Sequence, residues 1–279
     1  MNRAQLTEAT EKYLVDGYCV VKVAKLEQGI EGLREAFDRL IYHAESLGAC
    51  GLAATRHSTH QQIVGFGWSW GCDHVFMPEL REQSLLDIAS FDPIPDLVHS
   101  IVGQRVRFSA GHAHWTPANY DYKLHWHRDT RRIHWRKGNK DRRAHVQVCV
   151  ALSDESAVSL VPGSHVQDLT SQQLDWFEAH PFGVHAKQTT PKVPTGSALL
   201  LNTFALHRAE CVQGQRRRSI HFGFSRVGTP CETERPPKIH EWMAHPKFQS
   251  SQKQFLRESI QEEGDFCEAM RSKDDVSSR

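Results

Sequence analysis

The sequence has no C-x-x-C pair, no excess charge of either sign, no internal repeat, no low-complexity block and no long hydrophobic run. Each absence removes a class of protein. Cys19, Cys50, Cys72, Cys149, Cys211, Cys231 and Cys267 are odd in number and lack paired spacing, so neither a disulfide framework nor a thiolate zinc site is indicated. Lys plus Arg is 34 against 33 Asp plus Glu, a formal charge of +1. That balance excludes a polycation built for bulk phosphate binding and an acidic solvating chain, and nucleic acid is not an expected partner. The longest apolar run near the core, Ala198 to Leu201, is far too short to span a bilayer. The first residues, Met1 to Glu11, are charged early. These features predict a soluble, cytoplasmic protein with no membrane partner. They say nothing of oligomeric state.

What is present is enough to build a core. Hydrophobic residues make up 39% of the 279 positions, with 13 Phe and 7 Trp, and the length suits one large domain or two small ones. The N-terminal third reads as helical. Thr7 to Val15 has helical spacing and Asp16-Gly17 breaks it. Tyr18 to Val23 is a short β-branched strand, and Gln28 to Ser46 carries Ile30, Leu33, Phe37, Leu40 and Ile41 on one helical stripe. Gly51 to Gly71 has no clear period and reads as a long loop, of the kind used as a lid or binding segment. From Arg105 the pattern changes to short strand-like runs: Arg105–Trp115, Leu124–Asp129, His145–Leu152, Val158–Val161, Ser197–Leu201 and Arg216–Val227. Turn signals separate them, among them Pro162-Gly163 and Gln213-Gly214-Gln215. Many short punctuated strands predict a β barrel or jelly roll with helices outside, closed by a helix over Phe248 to Arg271.

Histidine, at 18 residues, is the compositional outlier. One histidine begins an H-x-D, His127-Arg128-Asp129, at the end of a predicted strand. Residues i and i+2 of a strand share a face, so an imidazole and a carboxylate can converge there. A third imidazole from elsewhere would complete a facial triad with open positions, the arrangement of non-haem Fe(II) oxygenases. His207 is a candidate for that third ligand. Arg218 follows it by eleven residues across Gln213-Gly214-Gln215, a spacing that predicts a hairpin with an arginine fork facing the metal.

With further motifs, the chain resembles the phytanoyl-CoA dioxygenase family of iron(II)/2-oxoglutarate oxygenases, which includes the ectoine hydroxylases. The matching residues are Trp126-His127-Arg128-Asp129, Ala151-Leu152-Ser153-Asp154, Val161-Pro162-Gly163-Ser164-His165, and His207 with Arg218 beyond it. Asp16-Gly17-Tyr18-Cys19-Val20-Val21 is similar to the family's opening strand. The resemblance spans roughly residues 7 to 227. It implies a mostly β fold with flanking helices: a double-stranded β-helix, or cupin-like jelly roll. Residues 1–279 would form a single oxygenase domain, with a helical part over 1–100, a barrel core over about 101–230 and a C-terminal helix over 231–279. It implies Fe(II) as cofactor and 2-oxoglutarate and O2 as co-substrates, with release of succinate and CO2 and hydroxylation of a small molecule.

The family's metal ligands carry over as His127, Asp129 and His207, and its co-substrate arginine as Arg218, with Arg217 as rival. The family often has Gly-Ser after the distal histidine, where this chain has Arg208-Ala209, so a hydroxyl contact to 2-oxoglutarate is missing. Gln147, on a polar strand face with His145 and Cys149, and His114 are candidate replacements. His165 is expected to shape the P-G-S-H turn rather than bind metal. Trp68 and Trp70 are expected to pack in a lid. Two other readings are a cupin-like metalloenzyme that does not use 2-oxoglutarate and a non-catalytic ligand-binding barrel.

Arg128 to Arg143 holds eight Arg or Lys residues against Asp129 and Asp141. Read as a solvated loop it is bland. Read as a lid, with Arg131, Arg132 and Trp135 toward the substrate, it points to an anionic ligand such as a carboxylate, phosphate or phosphonate. On the lid reading, replacing Arg131 and Arg132 by Ala raises the KM of the substrate far more than that of 2-oxoglutarate. Equal effects on both would exclude a substrate-specific lid.

Overall fold

In the computed structural model the described residues are 1–49, 71–73, 75–77, 79–80, 82–116, 122–129, 143–167, 169–211, 216–229 and 252–277. The N-terminal helix α1 (Arg3–Asp16) opens with a reciprocal cap. Asn2 accepts from the Gln5 backbone N–H, and the Gln5 side chain returns to the Asn2 N–H. It stops at Gly17, which takes φ +83°, a left-handed conformation open to glycine. Strand β1 (Tyr18–Lys22) follows, then α2 (Ile30–Ala49). The predicted stripe on α2 is the buried one: Leu33, Phe37 and Leu40 are in the core, and Phe37 meets Trp115 edge-on at 6.5 Å.

The short strand β2 (Gly71–Asp73) precedes α3 (Gln83–Asp87) and α4 (Ile94–Val102). Strands β3 (Val106–Trp115), β4 (Tyr122–His127), β5 (His145–Ala151) and β6 (Val158–Leu160) come next. After α5 (Ser171–Ala179) come β7 (Ser197–Leu201), β8 (His207–Cys211), β9 (Arg218–Arg226) and the C-terminal helix α6 (Gln254–Ser277). Two antiparallel sheets result, β1-β7-β5-β9-β3-β2 and β4-β8-β6. They face each other as the two walls of a jelly roll. The predicted strands recur within a few residues of their expected ends, and the C-terminal helix lies over 254–277 instead of 248–271. The loop expected over 51–71 falls almost wholly outside the described residues, as does the basic segment after Asp129 as far as Arg142.

Strand alternation decides which side chains see the space between the walls. On the large sheet, Val146, Val148, Val150, Ala198, Leu200, Ile220, Phe222 and Phe224 join the helices in the main hydrophobic core. The opposite, inner face carries Gln147 and Cys149 on β5 and Ser219 and His221 on β9. Its apolar members pack between the sheets, as Cys149, Ala151 and Leu199 do with Val158 of β6. One expectation fails here. The eleven-residue step from His207 to Arg218 is not a hairpin: β8 belongs to the small sheet and β9 to the large one, so the chain crosses between walls.

The helix α6 is fastened to β3 by a buried ion pair. Arg107 Nη1 meets Glu263 Oε2 at 2.8 Å with both side chains 1% exposed, and Arg107 also donates to the Thr229 carbonyl. Leu256 and Ile260 bury fully beside it. Removing one partner strands the other charge, so Glu263→Ala is expected to cost about 3–5 kcal/mol of unfolding free energy in urea denaturation. The double replacement Arg107→Met with Glu263→Leu should cost clearly less. Equal losses would show that shape, not charge, seats the helix.

Candidate metal centre

Strand β4 lies beside β8, and the register places His127 directly opposite His207. The ladder shifts between Leu124 and His127, an irregularity of the kind that re-aims side chains at sites. The two rings sit 4.2 Å apart, centroid to centroid. Asp129, just past the strand end, is anchored by its backbone N–H to the Thr203 carbonyl at 3.0 Å. Its Oδ1 lies 3.4 Å from His127 Nε2 and 3.7 Å from His207 Nε2. One ligand atom from each residue lies within 4.8 Å of the other two, and this is the one such His/Cys/Asp/Glu group found among the described residues.

The tautomers are set by the backbone. His127 Nδ1 is 2.8 Å from the His125 carbonyl and His207 Nδ1 is 2.9 Å from the Ala205 carbonyl. A carbonyl can only accept, so each Nδ1 carries the proton and each Nε2 turns a lone pair toward Asp129. Two neutral imidazole nitrogens and one carboxylate fit a ferrous ion and leave open positions on the metal.

The V-P-G-S-H run wires these candidate ligands in place. The Ser164 hydroxyl donates to Val161 O at 2.6 Å and accepts the Leu206 N–H at 2.8 Å, next to His207. The Ser164 carbonyl takes Arg128 Nη2 at 2.7 Å, between His127 and Asp129. His165 reaches the Leu14 carbonyl at 3.1 Å, away from the triad, in the turn-shaping place expected of it. It also lies so close over Gly17 that a Cβ there would come within 2.7 Å of its ring. Trp126, on the far face of the small sheet, packs against Phe177 of α5 and Leu206.

Arg218 is turned the other way. It shares the helix-facing side of β9 with Ile220, Phe222 and Phe224, and its guanidinium grips Asp38 of α2 through bonds of 2.5–2.8 Å. The expectation that it faces the metal is corrected on parity: Arg218 is one residue out of phase with the inner face. Arg217 is in phase. Its backbone continues the β3–β9 pairing through Thr116, and its side chain, 4% exposed, meets Glu155 Oε1 at 2.6 Å. Burial pushes the Cys149 thiol well up. Glu155 adds to that shift, Arg217 opposes it and Asp129 adds less, so arginine, glutamate and metal-site carboxylate all act on one inner-face sulfur.

Gln147 and His114 do lie on that inner face. His114 is buried with its ring 4.6 Å from that of His221, and His221 stands opposite both His112 and Cys149. Sequence reasoning did not single out Glu155, His112 or His221. The signal available was the alternation of Ser219 and His221 with Ile220, Phe222 and Phe224, polar against apolar, which carried back along the chain puts Arg217 on the polar side. Arg131, Arg132, Trp135, Trp68 and Trp70 lie outside the described residues.

The phytanoyl-CoA dioxygenase (PhyH) family model matches residues 13–220. The chain therefore belongs to that family and is an iron- and 2-oxoglutarate-dependent dioxygenase. No curated protein matches the sequence. Among solved structures, the 2-oxoglutarate-dependent epimerase SnoN from nogalamycin biosynthesis is similar at 14% identity and TM-score 0.60, covering 86% of this chain and 90% of that one. EctD from S. alaskensis, solved with 2-oxoglutarate and 5-hydroxyectoine, gives 14% identity and TM-score 0.60 over 85% and 81%. The carbocyclase SnoK gives 15% identity and TM-score 0.54 over 81% and 85%. At these identities the likeness is one of fold. No helix among the described residues is long and apolar enough to cross a membrane.

Burial holds His207 neutral, its pKa lowered to about 4, with His127 adding to the shift. The unfolded chain protonates this imidazole below about pH 6.5, while the folded chain resists until near 4, so stability is lost as pH falls through that window. The metal-free protein should unfold at lower urea near pH 4.5 than near pH 7, and His207→Gln should flatten that slope. An unchanged slope in the variant would assign the loss to other groups.

Proposed function

We propose that the protein hydroxylates a small, anionic molecule with His127, Asp129 and His207 holding the iron and Arg217 holding the far carboxylate of 2-oxoglutarate. The observation that carries this reading is the register pair His127–His207, with both Nε2 atoms aimed at one carboxylate oxygen. The bound ion supplies the activation of dioxygen that accompanies decarboxylation of the 2-oxo acid to succinate and CO2.

The chain's own part is placement. The two backbone carbonyls keep the imidazoles in the metal-binding tautomer, and Thr203 holds Asp129 in position. A carboxylate as third ligand supports hydroxylation over halogenation, since it fills the place a halide would need. Arg217, buried and always charged, offers two parallel N–H donors to a carboxylate. Gln147, His114 and His221 line the same inner face and are proposed to position the rest of the co-substrate. Apolar contacts between the walls, such as Leu160 with Leu201, keep water from the reacting atoms. EctD and SnoN were solved with small-molecule ligands, which supports a small-molecule substrate here. The basic stretch around Arg131 and Arg132 supports a negative charge on it.

Anaerobic addition of Fe(II) and 2-oxoglutarate should raise a weak visible charge-transfer band, and His127→Ala should abolish it. Arg217→Gln should weaken 2-oxoglutarate binding roughly a hundredfold. Arg218→Gln should retain the binding and lower stability instead. The opposite pattern in the two arginine variants would return the co-substrate role to Arg218.

A further inference from the structure

The ion pair between Arg217 and Glu155 has a feature that a merely structural pair does not need. Both side chains are almost fully buried, at 4% and 5% exposure, yet they border a cavity of about 350 Å³ lined in part by Asp154, Glu155, Lys192, Arg216 and Arg217. Lys192 and Arg216 are exposed at its edge. Glu155 also sits where the chain leaves strand structure. Its backbone is pinned to Val193 by a reciprocal pair of hydrogen bonds at 2.9 and 2.8 Å, while its side chain extends to Arg217. A glutamate so held can rotate its carboxylate without moving the backbone, and the cavity offers it the cations Lys192 and Arg216 to rotate toward, while the neighbouring Asp154 carboxylate is held by the Thr195 N–H and hydroxyl.

Resting on the assignment of Arg217 as the co-substrate arm, we propose that Glu155 is a latch on that arm. In the absence of 2-oxoglutarate its carboxylate fills the Arg217 fork and keeps a buried guanidinium compensated. Binding exchanges one carboxylate for another: the far end of 2-oxoglutarate takes the fork, and Glu155, still ionised, swings toward Lys192 and Arg216. No net charge is created or buried, so the exchange is close to balanced, and the latch sets co-substrate affinity by competition. The small Ala209, on β8 opposite Val158, leaves this end of the inter-sheet space without the hydroxyl that could have held the carboxylate beside the arginine. That makes affinity depend more heavily on the occupancy of the fork.

The test is anaerobic calorimetric titration of the Mn(II)-loaded protein with 2-oxoglutarate. Glu155→Gln keeps the shape and an acceptor for Arg217 but loses the competing charge, and should tighten 2-oxoglutarate roughly tenfold. Glu155→Asp, one methylene shorter, should tighten it by less and serves if the glutamine variant is unstable. Pyruvate, a 2-oxo acid without the far carboxylate, should bind both variants as it binds the wild type. Unchanged or weaker 2-oxoglutarate binding in both variants, or equal tightening of pyruvate, would overturn the latch. Arg217→Gln separates this from the parent reading. If it binds 2-oxoglutarate like the wild type, the arm assignment falls; if it loses binding while Glu155→Gln changes nothing, the arm stands and the latch alone is wrong.

Discussion

Two hydrogen bonds from imidazole to main chain govern the rest of the site. His127 gives its Nδ1 proton to the carbonyl two residues before it, and His207 does the same. The pattern is local, so each histidine carries its own orienting group wherever its strand goes. What the tertiary structure must add is a register that sets the two strands side by side with these residues opposed, and a turn that brings Asp129 to the same point. The P-G-S-H segment adds it, tying the residue before His207 and the residue between His127 and Asp129 to one serine. Candidate ligands spread over 80 positions of sequence are thereby held by two local hydrogen bonds and by tertiary ties that reach 36 and 42 residues along the chain.

Much of this was legible beforehand, and for a physical reason. The H-x-D pair declares itself because strand periodicity alone puts both groups on one side. The core stripe of α2 and the alternating valines of β5 declare themselves because burial selects one face of a regular element. The walls of the jelly roll followed from short strands broken by turns. What was not legible is which wall a strand joins. The eleven residues from His207 to Arg218 are compatible with a hairpin, and local spacing cannot distinguish that from a crossing between sheets. Which arginine turns inward was hidden for a different reason. Three consecutive arginines offer three phases, and family spacing favoured one while the polar-apolar alternation along β9 favoured its neighbour. The alternation reports directly on which side of the sheet a side chain lies, and it prevailed. Glu155 lay beyond any sequence signal, because its contact with Arg217 spans 62 residues and arises only once β5 and β9 lie side by side.

Strand β9 thus separates two arginines with different work. Arg218 spends its charge on Asp38 and ties α2 to the outer face of the large sheet. Arg217 spends its charge inward. The inner face carries His112, His114, His221 and Gln147 on adjoining strands beside small apolar clusters, while the main hydrophobic core lies on the outer face beneath the helices. A wall built this way can accept a water-soluble, multiply charged co-substrate and still be held rigid from behind by a hydrocarbon core.

The buried pair between Arg107 and Glu263 joins residues 156 positions apart. During synthesis on the ribosome, β3 emerges long before the segment that neutralises its arginine, and it stays without that partner until a further 156 residues have been made. A nascent chain stalled ahead of α6 therefore holds its strands without the counter-charge that lets Arg107 be buried.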